Sequence, residues 1–195
     1  MHFDGLCRRI GTIDPQPLAR VVETFGDDAW HEWDERQRTF FVHQDTQTIP
    51  LLYDNDMRHT DPTTWPRLAA IESAMEPALQ TIRNHHATDP ATGEGYFIRI
   101  ILTRLSPRTV IKPHRDQGES LMRAHRYHVP ITTNPLVDFF LGDQPFHFDA
   151  GEVWEINNRA RHAVRNASNE GRVHLILDYV VPGERVDDPE GVVFA

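Results

Sequence analysis

A histidine and an aspartate two residues apart, His114 and Asp116, have types and spacing that suit metal chemistry. In a β-strand, residues i and i+2 point to the same side, so both side chains can reach one cation from a single strand end. A second histidine from a distant strand, such as His162, would complete a set of three ligands. Two imidazoles and one carboxylate with an open face are the ligands used by non-haem Fe(II) oxygenases. The spacing therefore indicates a candidate iron site.

The same residues also have ordinary structural interpretations. A His-x-Asp pair arises often by chance at a protein surface, and His162 could be a half-buried strand histidine. Arg172, ten residues after His162, begins the apolar strand predicted over 173–181 and adds a further constraint. An arginine at the end of a buried strand needs a carboxylate partner. A dicarboxylic cosubstrate or an internal acid such as Asp178 would supply one.

Composition restricts the class of protein. The 195 residues are enough for one domain with a sizeable core and short for two. The chain has one cysteine, Cys7, which excludes an internal disulfide and a cysteine-rich zinc site. The net charge of −9 argues against a nucleic-acid partner, because duplex binding depends on clustered basic residues. Any transition metal must therefore be held by histidine and carboxylate.

Hydropathy gives no sign of a membrane or secretory segment. No apolar run approaches the roughly 20 residues that a spanning helix needs. The N-terminus lacks a basic region followed by an apolar stretch, so we expect a cytoplasmic protein without a membrane partner. The oligomeric state stays open.

Two regions differ in their patterns. The first contains a predicted strand, helix, loop, two strands and a longer helix, over residues 3–13, 15–25, 27–38, 39–43, 47–53 and 63–84. The second contains short β-rich runs at 96–105, 110–113, 125–132, 137–141, 146–148, 152–156, 162–164 and 173–181, separated by turn sequences. About eight short strands at close spacing predict a jelly roll.

We therefore expect one mainly β domain over residues 1–195, with flanking helices. Residues 95–181 would form the jelly-roll core. Residues 1–94 would brace one outer face and supply a lid, and residues 182–195 would be a loose acidic tail.

Five ordered motifs between about Leu102 and Tyr179 resemble the aspartyl/asparaginyl β-hydroxylase family of Fe(II)- and 2-oxoglutarate-dependent oxygenases, whose bacterial relatives include free-proline hydroxylases. The motifs are Pro113-His114-x-Asp116, Arg123-x-His125 ahead of a Val-Pro strand, Gly151-Glu152-Val153-Trp154, His162-x-Val164-x-Asn166 and Arg172-x-x-Leu175-Ile176-x-Asp178. Five motifs at consistent spacing are far more specific than one. The resemblance implies a cupin-like double-stranded β-helix and does not extend to the first hundred residues.

The resemblance implies that His114, Asp116 and His162 hold Fe(II). The animal peptide hydroxylases of the family have both histidines but lack the carboxylate. This chain keeps Asp116, as the small-molecule hydroxylases do.

The resemblance also implies a cosubstrate site. Arg172 would bind the distal carboxylate of 2-oxoglutarate, with Thr103 as an assisting hydroxyl residue. Arg123 and His125 would correspond to the Arg-x-His pair that contacts the cosubstrate in relatives.

The implied reaction uses Fe(II), O2 and 2-oxoglutarate, with ascorbate as a candidate reductant, and releases succinate and CO2. We expect hydroxylation of an unactivated C–H in a free amino acid or small metabolite. The alternatives are β-hydroxylation of Asp or Asn in a peptide, and a cupin-like metal-binding protein with a different reaction or none. Arg115, Arg126 and Trp30 are candidate substrate contacts, whereas His128, Trp154 and His174 are interpreted as structural.

Overall fold

A computed structural model describes residues 5–58, 61–86 and 91–184. The first two residues of the predicted N-terminal strand and most of the predicted acidic tail lie outside this range. No helix in the described ranges has the length and hydropathy needed to cross a membrane.

The described residues form strands and helices in this order: β1 (Cys7–Thr12), α1 (Gln16–Thr24), α2 (Glu35–Thr39), β2 (Thr46–Asp54), β3 (Pro62–Thr64), α3 (Leu68–His85), β4 (Tyr96–Leu105), β5 (Thr109–His114), α4 (Glu119–Arg123), β6 (Ala124–Thr132), β7 (Val137–Leu141), β8 (Gln144–Phe146), β9 (Glu152–Ile156), β10 (His162–Asn166) and β11 (Arg172–Val180). Short 3-10 turns at Asp28–Trp30 and Phe41–His43 flank α2.

The strands form two antiparallel sheets. The large sheet has seven strands in the order β1-β9-β6-β11-β4-β2-β3, and the small sheet has four in the order β5-β10-β7-β8. Apolar side chains from both sheets, including Leu105, Ile156, Phe139 and Val164, pack into one cluster between them. This sandwich confirms the predicted mainly β jelly-roll class.

Helices α1 and α3 cover the outer face of the large sheet, as predicted. Ile71, Met75 and Ile82 recur at helical spacing along α3 and are fully buried. They share a core cluster with Leu18 of α1 and with strand residues such as Leu177. The helices therefore make the large sheet a layer that is buried on both faces.

Strand β11 shows how this double burial divides the residues. Val173, Leu175 and Leu177 belong to the cluster under the helices. The alternate residues Arg172 and His174 point to the space between the sheets, because side chains alternate along a strand. The inner face of the large sheet is consequently polar although it is buried.

The predicted strand 39–43 is wrong. Its residues end α2 and continue into the 3-10 turn Phe41–His43, and α2 begins within the predicted loop 27–38. The β-forming side chains of this segment line a cavity instead of joining a sheet. Tertiary contacts thus override the local strand propensity.

The predicted helix 63–84 begins later than expected. Pro62–Thr64 forms β3 against β2, and α3 starts at Leu68. The N-terminal half of the chain is therefore more than a brace, since β1, β2 and β3 are strands of the large sheet.

Strands β5 and β10 pair with an irregular register. His162 faces His114 and Val164 faces Ile111, so β5 carries one more residue than β10 between these two pairs. Such a bulge re-aims the side chains next to it.

A tight turn before β9 depends on Gly151. Its φ is 83°, and its carbonyl accepts a hydrogen bond of 2.8 Å from the amide of Ile13. A Cβ at this position would collide with the carbonyl oxygen of Ile13. Gly26 also has a positive φ, 71°, but a Cβ there would meet nothing within 4 Å.

We expect Gly151→Ala to lower the free energy of unfolding far more than Gly26→Ala does. Left-handed backbone alone costs an alanine roughly 1–2 kcal/mol, which applies to both positions. The backbone collision adds to this cost at position 151 only. Urea unfolding of the two variants measures the difference, and equal losses would contradict the structure.

Candidate active site

Three predicted metal ligands come together between the sheets. His114 ends β5, Asp116 follows it, and His162 begins β10 directly opposite His114. One ligand atom from each residue lies within 4.8 Å of the others. The Nε2 atoms of His114 and His162 lie 3.9 Å and 3.7 Å from carboxylate oxygens of Asp116. This cluster could hold a metal ion.

Backbone carbonyls orient both imidazoles. The Nδ1 atom of His114 lies 2.8 Å from the carbonyl oxygen of Lys112, and Nδ1 of His162 lies 3.0 Å from that of Ala160. A carbonyl only accepts, so each Nδ1 carries a proton, which leaves each Nε2 as the nitrogen that could bind a metal. Burial and the neighbouring His162 lower the pKa of His114 to about 4. At neutral pH His114 is therefore unprotonated on Nε2, as metal ligation requires.

Arg126 holds the carboxylate of Asp116. Its Nη1 donates to Oδ2 of Asp116 at 2.6 Å, while its Nε and Nη2 donate to the two oxygens of Asp178 at 2.8 Å each. The Nε of Arg99 lies 3.9 Å from Oδ2 of Asp178 and donates to the buried Asp54 at 2.8 Å. A row of alternating charges thus runs from the candidate metal ligand Asp116 across the inner face of the large sheet.

These contacts control the ionisation of Asp116. Burial raises the pKa of this carboxyl, but Arg126 together with His162, His114 and His43 outweighs burial and brings the pKa well below its usual range. Asp116 therefore stays ionised and available to a cation.

A small inner cavity adjoins the cluster, and Arg172 and Thr103 line it. Arg172 is 2% exposed, and it forms no ion pair with a carboxylate within the described ranges. Asp178, the alternative partner considered from the sequence, is already bound by Arg126. The Nε of Arg172 and the Oγ1 of Thr103 are both buried without a hydrogen-bond partner among the described residues. Unpaired buried polar groups are costly, and a bound ligand is one way to satisfy them.

His174 positions two of the groups around this cavity. Its Nδ1 lies 2.7 Å from Nη2 of Arg172 and 3.3 Å from Nδ1 of His128. Arginine can only donate, so Nδ1 of His174 accepts, and the facing Nδ1 of His128 must carry a proton. His174, interpreted from the sequence as structural, therefore sets the orientation of Arg172 and the tautomer of His128.

The sequence matches a family model at this stretch. The model of the family described as aspartyl/asparaginyl beta-hydroxylase matches residues 67–182, which is more than half of the 195 residues. The chain belongs to this family. The prediction made from the five motifs is confirmed.

Solved structures confirm the fold that this family membership implies. An oxidoreductase of the 2OG-Fe(II) oxygenase family from Burkholderia pseudomallei is 16% identical, with a TM-score of 0.58 over 89% of this chain and 93% of that chain. A viral collagen prolyl hydroxylase from Paramecium Bursaria Chlorella virus-1, in a 2OG complex, is 8% identical, with a TM-score of 0.53 over 91% and 96%. A Pseudomonas putida prolyl-4-hydroxylase is 12% identical, with a TM-score of 0.52 over 91% and 92%.

Two residues that the family resemblance assigned to the cosubstrate lie elsewhere. Arg123 is exposed and pairs with Glu119 at 3.2 Å. His125 points to the helix-covered face of the large sheet, where its two ring nitrogens lie 2.6 Å from Glu155 and Glu184. This placement does not fit a contact with a ligand in the inner cavity.

The chain contains a second Arg-x-His pair three residues later, Arg126-x-His128. Both residues line the inner cavity. Arg126 and His128 are two residues apart on β6, so both point to the inner face of the large sheet. They directly precede Val129-Pro130. Adjacency to the Val-Pro pair is a sequence signal that could have pointed to this pair.

A larger outer cavity of about 290 Å³ opens beside His114 and Asp116. Apolar side chains from the segment after α2, including Phe40 and Phe41, form one wall, and Arg36, Arg99 and Arg115 contribute positive charge. Arg115 and Arg126 thus lie where a substrate contact is possible. Trp30 does not, because it is buried in the core under the helices.

We expect Arg126→Met to lower the free energy of unfolding by about 3–5 kcal/mol, because it leaves Asp116 buried without its cation and removes both hydrogen bonds of Arg126 to Asp178. The matched control is Arg165→Met, which breaks the exposed pair with Asp138 and should cost at most about 1 kcal/mol. Chemical denaturation of both variants tests this. Similar losses would mean that the buried pairs contribute no more than a surface pair.

Proposed function

We propose that this protein is an Fe(II)- and 2-oxoglutarate-dependent dioxygenase that hydroxylates an unactivated C–H of a free amino acid or other small metabolite and releases succinate and CO2. The observation that carries the proposal is the convergence of two features on one cavity. The His114, Asp116 and His162 cluster lies at one side of the inner cavity, and Arg172, which has no carboxylate partner among the described residues, lines the same space.

The residues present fit both groups. Two neutral imidazoles and a carboxylate form the donor set that non-haem Fe(II) enzymes use. The unpartnered Nε of Arg172 and Oγ1 of Thr103 are a buried cation and a hydroxyl, which suit the distal carboxylate of 2-oxoglutarate. When bound, the iron and 2-oxoglutarate would activate O2 and supply the oxidising power for the C–H bond.

The chain's own residues contribute binding, orientation and exclusion of water. Lys112 and Ala160 carbonyls keep the Nε2 lone pairs of His114 and His162 directed at the cluster. Arg126 occupies one oxygen of Asp116 and leaves the other for the metal. His174 holds Arg172 in position, and the two packed sheets keep the inner cavity away from bulk solvent.

Two alternatives lead to different results. The family description itself favours β-hydroxylation of an aspartyl or asparaginyl side chain in a peptide. A cupin-like metal protein with another reaction, or with none, would have no use for a dicarboxylate site at Arg172. A mass-spectrometric screen of amino acids and peptides for gain of one oxygen, coupled to succinate release, separates these cases.

We expect His162→Ala to abolish succinate formation and metal binding. In the wild type, Mn(II) at about 100 times its Kd should stabilise the fold by roughly 2.7 kcal/mol, and this gain should vanish in the variant. The exposed His31 provides the matched control His31→Ala. Succinate release that survives in His162→Ala would sink the metal assignment.

We expect Arg172→Gln to raise KM for 2-oxoglutarate by roughly 10–100-fold, because a charged hydrogen-bond pair contributes about 1.5–3 kcal/mol. Mn(II) binding should persist, which shows that the variant is folded. Arg104→Gln, on the neighbouring strand and paired with Asp27, is the control. An unchanged KM in Arg172→Gln would remove the arginine from the cosubstrate site.

A further inference from the structure

A second buried arginine, Arg36 on α2, lies where the inner and outer cavities meet and lines both. It is 8% exposed. Its hydrogen bonds in the described structure go to neutral groups, the Nε2 of His43 at 3.0 Å and the hydroxyl of Thr46 at 3.4 Å. A buried guanidinium without a carboxylate is unfavourable unless a ligand provides one.

His43 adds an unpaired hydrogen-bond donor at the same place. Because Arg36 can only donate, the Nε2 of His43 must accept, and the proton of the neutral ring lies on Nδ1. That Nδ1 is buried and has no hydrogen-bond partner among the described residues. His43 also lines both cavities, so a buried cation without a carboxylate and a donor without an acceptor meet there.

The balance of buried charge indicates what would satisfy them. Around the two cavities the described buried charges are four arginines and three aspartates: Arg36, Arg99, Arg126 and Arg172 against Asp54, Asp116 and Asp178. The charges of a divalent metal ion and of the dianion 2-oxoglutarate cancel each other. One positive charge therefore remains when both are bound, and a single carboxylate neutralises it.

The outer cavity itself offers little to a cation. Among its described lining residues Asp116 is the sole carboxylate, and Arg126 and the metal would occupy it. Apolar side chains such as Phe40, Phe41 and Leu121 provide the remaining surface. A ligand of this cavity would combine an apolar skeleton with an anionic end.

We propose that Arg36 and His43 bind a carboxylate of the substrate, so that the enzyme acts on a small carboxylic acid held by that group beside the metal cluster. The proposal rests on the proposed function, because the charge balance includes the metal and 2-oxoglutarate. It assigns a role to α2 and the turn that follows it, a segment outside the residues matched by the family model.

The test uses three pairs of probes that differ only in charge: cyclohexanecarboxylate, L-leucine and N-acetyl-L-leucine, each with its primary amide. Calorimetry on the protein loaded with Mn(II) and 2-oxoglutarate measures the Kd of each. We expect at least one acid to bind about 10–100-fold more tightly than its amide, as a charge-assisted hydrogen bond predicts. If no acid exceeds its amide in the wild type, the proposal fails.

Two variants locate the preference. Arg36→Gln should remove it, and Arg36→Lys, which keeps the charge, should retain part of it. Arg38→Gln is the matched control, because Arg38 lies on the same helix with a side chain that is 74% exposed. Persistence of the acid preference in Arg36→Gln would overturn the assignment.

The Kd of 2-oxoglutarate distinguishes this proposal from its basis. If Arg36→Gln weakens the binding of 2-oxoglutarate as much as the binding of the acid, Arg36 belongs to the cosubstrate site and the proposal is overturned. If wild-type protein forms no succinate from 2-oxoglutarate, the proposed function fails, whereas the acid preference and its loss in Arg36→Gln still report on the arginine.

Discussion

Strand β11 is buried on both faces, and this constraint determines how the site is built. Polar side chains on its inner face have no access to bulk water, so each must find a partner within the protein or in a ligand. Asp178 satisfies this requirement because it lies in register with Arg99 of β4 and with Arg126 of β6. The central strand thus provides the acid, and its two neighbours provide the cations.

The same register explains why Arg172 is different. It lies at the beginning of β11, opposite Leu105 of β4, where no described acid faces it. Its contact is His174, two residues along the same face. The inner charges of the sheet are therefore neutralised near His114, Asp116 and His162. The charge of Arg172, at the other end of the inner cavity, is left without a described acid. Such an arrangement lowers the stability of the fold, because polar groups stay unpaired until a ligand binds them.

Much of this could be predicted from the sequence, because strands carry local information. The short β-rich runs at close spacing predicted the sandwich, and the His-x-Asp spacing placed two candidate ligands at one strand end. The spacing alone could not separate Arg123-x-His125, which lies away from the inner cavity, from Arg126-x-His128, which lines it. Only the parity of β6 distinguishes the inner face from the outer one.

Arg36 and His43 could not be predicted in the same way. Their segment has β-forming residues and a polar pattern typical of a surface, and its position beside the metal cluster results from contacts distant in sequence. His43 packs edge-on against the ring of His114 at a centroid separation of 5.1 Å, across about 70 residues of chain. The secondary-structure propensity of the local sequence carries no information about such a long-range contact.

The bulge in β5 has a consequence for the evolution of relatives. One extra residue between Ile111 and His114 brings the histidine opposite His162. A relative that lost this residue could keep both strands and the whole His-x-Asp motif, yet its histidine would point away from the cavity, since a one-residue slip reverses every side chain. Segment length between these two positions is therefore a better criterion than the motif for judging which homologues bring both histidines to the same place.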